Sequence, residues 1–157
     1  MRREPPLSQE PAGDTGEELH TGATSSIIGY RLRRAQLSVF QRFLSVFEDL
    51  KLRPVEYTVL VLISDNPGRK QTEIAEELGI KRANFVPLVH GLEERGLVER
   101  IPSDADKRAN ALHLTADGHS FIAHARKVHD TMEEDLVARL GGEKGRKALL
   151  DLLDRLM

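Results

Sequence analysis

The chain has 157 residues, of which 39% are hydrophobic and 31% charged, with a net charge of −2 and no cysteine. This suits one domain, or one domain plus an extension, with its own core and a well-solvated surface. It excludes disulfides, thiolate metal sites, thiol redox sensing and a uniformly basic nucleic-acid binder, so any attraction to phosphate must come from a local patch. No apolar run approaches the ~20 residues that span a bilayer. The first residues lack the apolar core of a signal peptide. A soluble cytoplasmic protein with no membrane partner is expected.

Residues 1–24 carry Pro5, Pro6, Pro11, Gly13, Gly16 and Gly22 among Glu4, Glu10, Asp14, Glu17 and Glu18. With few apolar groups to bury, they read as a flexible acidic arm. Residues 25–53 form the next segment. Ser25 or Ser26 is positioned to cap a helix running to about Leu50, because Ile28, Leu32, Ala35, Val39, Phe43, Val46 and Leu50 recur at three- and four-residue spacing. Roughly 25 helical residues span about 38 Å, more than a compact body of this size requires. Such a helix points to packing against a second subunit; the plainer alternative is a core helix.

Residues 54–115 change character. Pro54 suits a first helical turn, Val55, Val59, Leu60, Leu62 and Ile63 follow, and Asn66-Pro67-Gly68 ends the element. A short helix is expected over Gln71–Leu78, stopped by Gly79, and a second from about Lys81 to Arg95, stopped by Gly96. In the second, Phe85, Leu88, Val89 and Leu92 share one face. Leu97–Ile101 and Ala111–Thr115 alternate as half-buried strands do. The eight or nine residues between them would make a long, open hairpin tip crowded with Asp104, Asp106, Lys107 and Arg108. Residues 116–157 supply two more helices, about Ala116–Leu140, capped by Thr115 and Asp117, and Glu143–Met157, separated by Gly141-Gly142.

Helix, short helix, turn, helix, hairpin is the order of a winged helix-turn-helix. Its physical requirements are present. Ala75 is small where two helices must cross, Gly79 permits the tight turn, and Ile80, Phe85 and Leu88 can lock the second helix on the first. One helix of such a pair fits a DNA major groove, and the charged hairpin is placed to reach the neighbouring backbone or minor groove. Arg108 is the minor-groove candidate, since a guanidinium suits that narrow negative channel. Asp106 would orient it, Lys107 would pair with phosphate, and Asn110 completes the wing set.

These features resemble the multiple-antibiotic-resistance-regulator (MarR) family of winged-helix transcription factors. The resemblance covers residues 25–157. It rests on Thr72-Glu-Ile-Ala-Glu-Glu-Leu-Gly-Ile80, on Leu92-Glu-Glu-Arg-Gly-Leu-Val-Glu-Arg100, and on Asp106-Lys-Arg108 leading to Leu114-Thr-Ala-Asp-Gly118. The fold class it implies is mainly α with a small β-hairpin wing, a winged helix-turn-helix between N- and C-terminal dimerisation helices. It further implies a homodimer joined through the first and last two helices, bound to a pseudo-palindromic operator and acting as a repressor. Many members release DNA when a small aromatic or anionic ligand binds between the dimerising and DNA-binding parts.

The chain departs from the family pattern where Lys81-Arg82-Ala83-Asn84 opens the recognition helix in place of the common Ser or Thr. Arg82 and Asn84 can read base edges or phosphates. Pro87 lies within that helix, where an interior proline costs roughly 3 kcal/mol. At 100° per residue Ala83, Pro87, His90 and Gly91 lie opposite the buried face. That surface is small and apolar enough to touch thymine methyls; alternatively the helix is kinked and base contacts come from its first turn. Gly29-Tyr-Arg-Leu-Arg-Arg-Ala-Gln36 is similar to members that control hydroxycinnamate breakdown and respond to the coenzyme-A thioesters. On that likeness Tyr30 and Phe43 would stack an aromatic ring, while Arg31, Arg33 or Arg34 would pair with a carboxylate or phosphate. The alternative is a basic helix surface that meets no ligand.

Other signals point elsewhere or nowhere. The pairs His119/His124 and His124/His129 are five apart, not the four that align metal ligands on a helix. Gly68-Arg-Lys-Gln-Thr72 lacks the earlier glycine and the Lys-Ser/Thr pair of a phosphate loop. Glu73, Glu76 and Glu77 sit where acidic groups favour a helix N-terminus. No nucleophile–base pair emerges, so neither an enzyme nor a cofactor is expected. The rival to DNA binding is a winged helix serving protein assembly, which the near-neutral charge keeps open.

Overall fold

The structure is a computed structural model that describes residues 22–103 and 106–157, the side chains of 103–110 excepted. The acidic arm expected over residues 1–24 lies outside them up to residue 21. In chain order the elements are α1 (Gly22–Ser25), α2 (Ile28–Val46), α3 (Pro54–Asp65), β1 (Arg69–Lys70), α4 (Gln71–Glu77), α5 (Arg82–Glu94), β2 (Val98–Ser103), β3 (Asp106–Leu114), α6 (Ala116–Arg139) and α7 (Glu143–Asp154). Two compact units meet in sequence between Gln36 and Leu37.

The expected first helix is shorter at both ends. Ser25 and Ser26 do not cap it; their hydroxyls donate backwards to the carbonyls of Gly22 (2.8 Å) and Ala23 (3.2 Å). Helix α2 therefore starts at Ile28 and runs 19 residues. After Val46 the chain closes tight turns, with the Leu50 N–H on the Phe47 carbonyl and that of Lys51 on Glu48. Lys51 takes a left-handed φ of 46°. Pro54 forces Arg53 out of the helical region, to φ −85° and ψ 153°, so the reversal must finish before it.

Helix α3 begins with Pro54 at its first turn, as its missing N–H permits. The Glu56 carboxylate accepts the Arg53 backbone N–H at 2.8 Å and the Arg53 guanidinium at 2.7 Å, a capping box closed by an ion pair. Gly79 and Gly96 end the next two helices at φ +62° and +68°, in the left-handed region that glycine adopts without strain.

The three strands form one antiparallel sheet in the order β1-β3-β2. Val98 faces Leu114, Arg100 faces Leu112 and Pro102 faces Asn110; Ser103 then faces Asp106 across a register shift. Within the long open tip expected between residues 101 and 111, the ladder thus continues through Pro102 and Ser103. Backbone pairing continues past the alternating segments, because ladder hydrogen bonds do not require an alternating side-chain pattern. Strand β1, unforeseen, adds Arg69 opposite Leu112 and Lys70 opposite Ala111.

In residues 37–157, Val59, Leu60, Ile63, Phe85, Val89, Leu92 and Leu112 are fully buried, and Ile122, Ala125 and Met132 of α6 pack with them. His129 of α6 stacks on Tyr57 of α3 at 4.7 Å. Arg126 meets Asp65 at 2.5 Å, and Arg42 pairs with Asp135. Among the described residues no helix is long and apolar enough to cross a membrane.

Candidate nucleic-acid interface

Helix α4 enters from a second capping box: the Glu73 carboxylate accepts the Lys70 backbone N–H at 2.7 Å and lies 3.3 Å from Arg69. That backbone bond, with the Arg69 charge, holds the Glu73 carboxyl below the usual range. Ala75 is buried, and the Ile80 N–H donates to its carbonyl at 2.9 Å, closing the turn at Gly79. Helix α5 follows. Phe85, Leu88, Val89 and Leu92 face inward, while Lys81, Arg82, Ala83, Asn84, Pro87 and His90 are exposed. Gly91, expected on the outer surface, is half-buried. Lys81 precedes the first turn and no side chain caps it, so the first N–H groups are left to solvent or an anion.

The helix is unbroken across Pro87. Proline withdraws the donor for the Ala83 carbonyl, but Ala83 is exposed and water can serve that oxygen. The outer face holds one apolar residue that the sequence reading missed, Val86, which is 38% exposed. Its position three residues after Ala83 was the available signal, obscured because a valine in an amphipathic helix reads as core. His90 lies 4.0 Å from Glu93 and 3.7 Å from Glu94.

Wing and reading helix are tied by Arg100 of β2. Its guanidinium meets Glu93 of α5 at 2.6 Å and donates to Gln71 of α4 at 3.2 Å. At the base of the wing, the Thr115 hydroxyl donates to the Gly96 carbonyl (2.6 Å) and accepts the Gly118 N–H (2.9 Å), joining the end of α5 to the start of α6. Arg95 donates to the Leu50 and Lys51 carbonyls and lies over the Phe121 ring. Asp106, Lys107, Arg108 and Asn110 lie on β3 by backbone; their side chains fall outside the described residues.

The effector candidates are divided. Tyr30 is half-buried and Arg31, Arg33 and Arg34 are exposed, all before the unit boundary. Arg31 joins Ser26, Ile28, Leu32 and Ala35 around an open cleft of about 440 Å³. Phe43 belongs to the other unit, is 5% exposed, and stacks on Phe47 with ring centres 3.9 Å apart. Among the described residues no cluster of three or more His, Asp or Glu is placed to hold a metal.

Residues 49–109 match the MarR family model. A protein of Thauera aromatica, named for a transcriptional regulatory role at the hcr operon, is 32% identical over 148 residues, 94% of this chain and 89% of that protein. The chain belongs to the MarR family. It is a transcriptional regulator with the winged helix-turn-helix fold. Two solved structures of the transcriptional repressor CouR are similar over most of the chain. One, bound to a 23-mer DNA duplex, is 45% identical and superposes with a TM-score of 0.83 over 88% of this chain and 98% of its own. The other, bound to p-coumaroyl-CoA, is 43% identical with a TM-score of 0.79 over 88% and 97%.

Proposed function

We propose that this MarR-family chain is a cytoplasmic repressor that grips a pseudo-palindromic operator as a homodimer and lets go when a hydroxycinnamoyl-CoA, or a related aromatic acid, binds. The observation that carries the reading is CouR held on a DNA duplex, at 45% identity over nearly its whole length. Each subunit lays residues 82–91 in a major groove roughly 12 Å wide and sets residues 104–110 at the flanking minor groove. Lys81 and Arg82 meet phosphates or base edges beside the uncapped helix start, and Asn84 reads a base edge. Arg108 enters the minor groove, Asp106 orients it, and Lys107 and Asn110 hold the backbone. The two half-sites lie about 34 Å apart.

Pairing of two subunits is supported by apolar side chains left in solvent. On α2 these include Leu32, Phe40 and Leu44, and on α7 Leu149, Leu150 and Leu152. The effector class is supported by CouR bound to p-coumaroyl-CoA. Arg31, Arg33 and Arg34 would pair with its phosphates and Tyr30 would flank its ring. Phe43 would offer its ring to the effector in exchange for its stack with Phe47.

A gel shift with DNA flanking its own gene tests this. Binding should weaken steeply with salt and should be reversed by p-coumaroyl-CoA. Binding to no fragment at low salt would favour the protein-assembly rival. Arg108→Ala should weaken operator binding by about 1–3 kcal/mol with the dimer intact; unchanged affinity removes Arg108 from the interface.

A further inference from the structure

We propose that the middle of α5 recognises thymine through its methyl group, so that Ala83, Val86 and Pro87 select A·T pairs at the operator positions they cover. This rests on the DNA-binding reading above and deepens it.

The geometry points to this chemistry. At roughly 100° per residue, Val86, Pro87 and His90 fall within about 60° of Ala83, and all four are exposed. Arg82 and Asn84 lie about 100° to either side. The centre of the face therefore carries a methyl, an isopropyl and a pyrrolidine ring. None of these donates or accepts a hydrogen bond. The residues that read guanine or adenine by paired hydrogen bonds, Arg, Lys, Asn and Gln, are absent from it. The polar group that does share it, His90, sits beside the carboxylates of Glu93 and Glu94.

The four base pairs present different patterns in the major groove, and the C5-methyl of thymine is the apolar group that marks an A·T pair. Where Ala83, Val86 and Pro87 cover a base pair, they leave the polar edges of a G·C pair unmatched once water is excluded. Against thymine they gain methyl burial. Side chains this short let the helix approach closely enough for that contact.

The test uses the full-length chain and a duplex selected by it from a random DNA library. Each thymidine is then replaced singly by 2′-deoxyuridine, which keeps every hydrogen-bonding edge and deletes the methyl. Affinity should fall about fourfold at one or more major-groove positions in each half-site. In Val86→Ala or Pro87→Ala that penalty should shrink at the matching position. Pro87 is exposed and Val86 is 38% exposed, and a thermal melt of each variant checks that it is folded. Equal affinity at every deoxyuridine position overturns the inference while leaving DNA binding intact. So does a penalty of unchanged size in both variants. Failure to select any duplex overturns the DNA-binding reading itself.

Discussion

Arg100 on β2 and Glu93 on α5 meet at 2.6 Å, with each side chain about three-quarters covered. The pair is a direct polar link between β2 and α5, and Gln71 of α4 extends it. It ties β2 to α5, the two elements proposed to contact DNA.

Arg100→Ala should therefore act on both stability and binding. Glu93 would keep a partly buried charge, with His90 at 4.0 Å as its remaining partner among the described residues. A loss of about 1–3 kcal/mol in urea unfolding is expected. Operator affinity should fall as well, because the wing loses its register on α5. Arg100→Lys should not restore both contacts, since an ammonium cannot reproduce the guanidinium fork. Wild-type stability in Arg100→Ala would show that the pair holds nothing.

Gly118 is required by space, not by backbone conformation. A Cβ there would stand 2.0 Å from the Leu97 carbonyl oxygen and 2.9 Å from its carbon. Neither atom can move without shifting the root of β2. Gly118→Ala should cost at least about 2–3 kcal/mol, read as a drop in thermal midpoint. A midpoint within a degree of wild type would mean that the strand root is loose.

Glu56 should make the fold sensitive to acid. Burial alone would push its carboxyl up. Hydrogen bonds from the Arg53 guanidinium and backbone N–H, with the charges of Arg53 and Arg95, outweigh that and hold it low. A folded pKa below the unfolded one, about 4.3, gives stability that is complete above that value. It is lost as pH falls through the lower folded value. Glu56→Gln should lose about 1 kcal/mol at pH 7, and its deficit relative to wild type should narrow below pH 4. A deficit constant from pH 7 to pH 3 would assign the effect to packing.

Leu152 is 58% exposed on α7, beside Leu149 and Leu150. If these side chains face a second subunit, Leu152→Asp should shift the sedimentation coefficient towards a monomer at micromolar concentration. Operator binding should go with it, because one half-site alone supplies half the contacts. The unfolding midpoint of the isolated subunit should hardly change, since this side chain is already in solvent. A variant that remains dimeric would place the pairing surface elsewhere.

Much of this protein follows from local chemistry. Pro54, Gly79 and Gly96 punctuate the chain because their allowed φ values or missing N–H act within one turn, and all three stand at the element ends they announced. The buried row Phe85, Leu88, Val89 and Leu92 was legible because helical period and burial coincide in one segment. The helix-turn-helix order follows from both. What tertiary structure decided is non-local. Arg69 and Lys70 have no pattern of their own and become strand β1 only because β3 offers them an edge. The wing ladder runs to Ser103 and Asp106 because pairing propagates beyond the alternating residues. Phe43 read as an available platform on a striped helix, yet the packing of Phe47 and Tyr57 draws it into the core. The contacts of Arg100 with Gln71 and Glu93 join residues 29 and 7 positions apart. A pattern along the chain records which way each side chain faces on its own helix or strand; which partner it meets there depends on how the elements pack, and that is set only when the whole core closes.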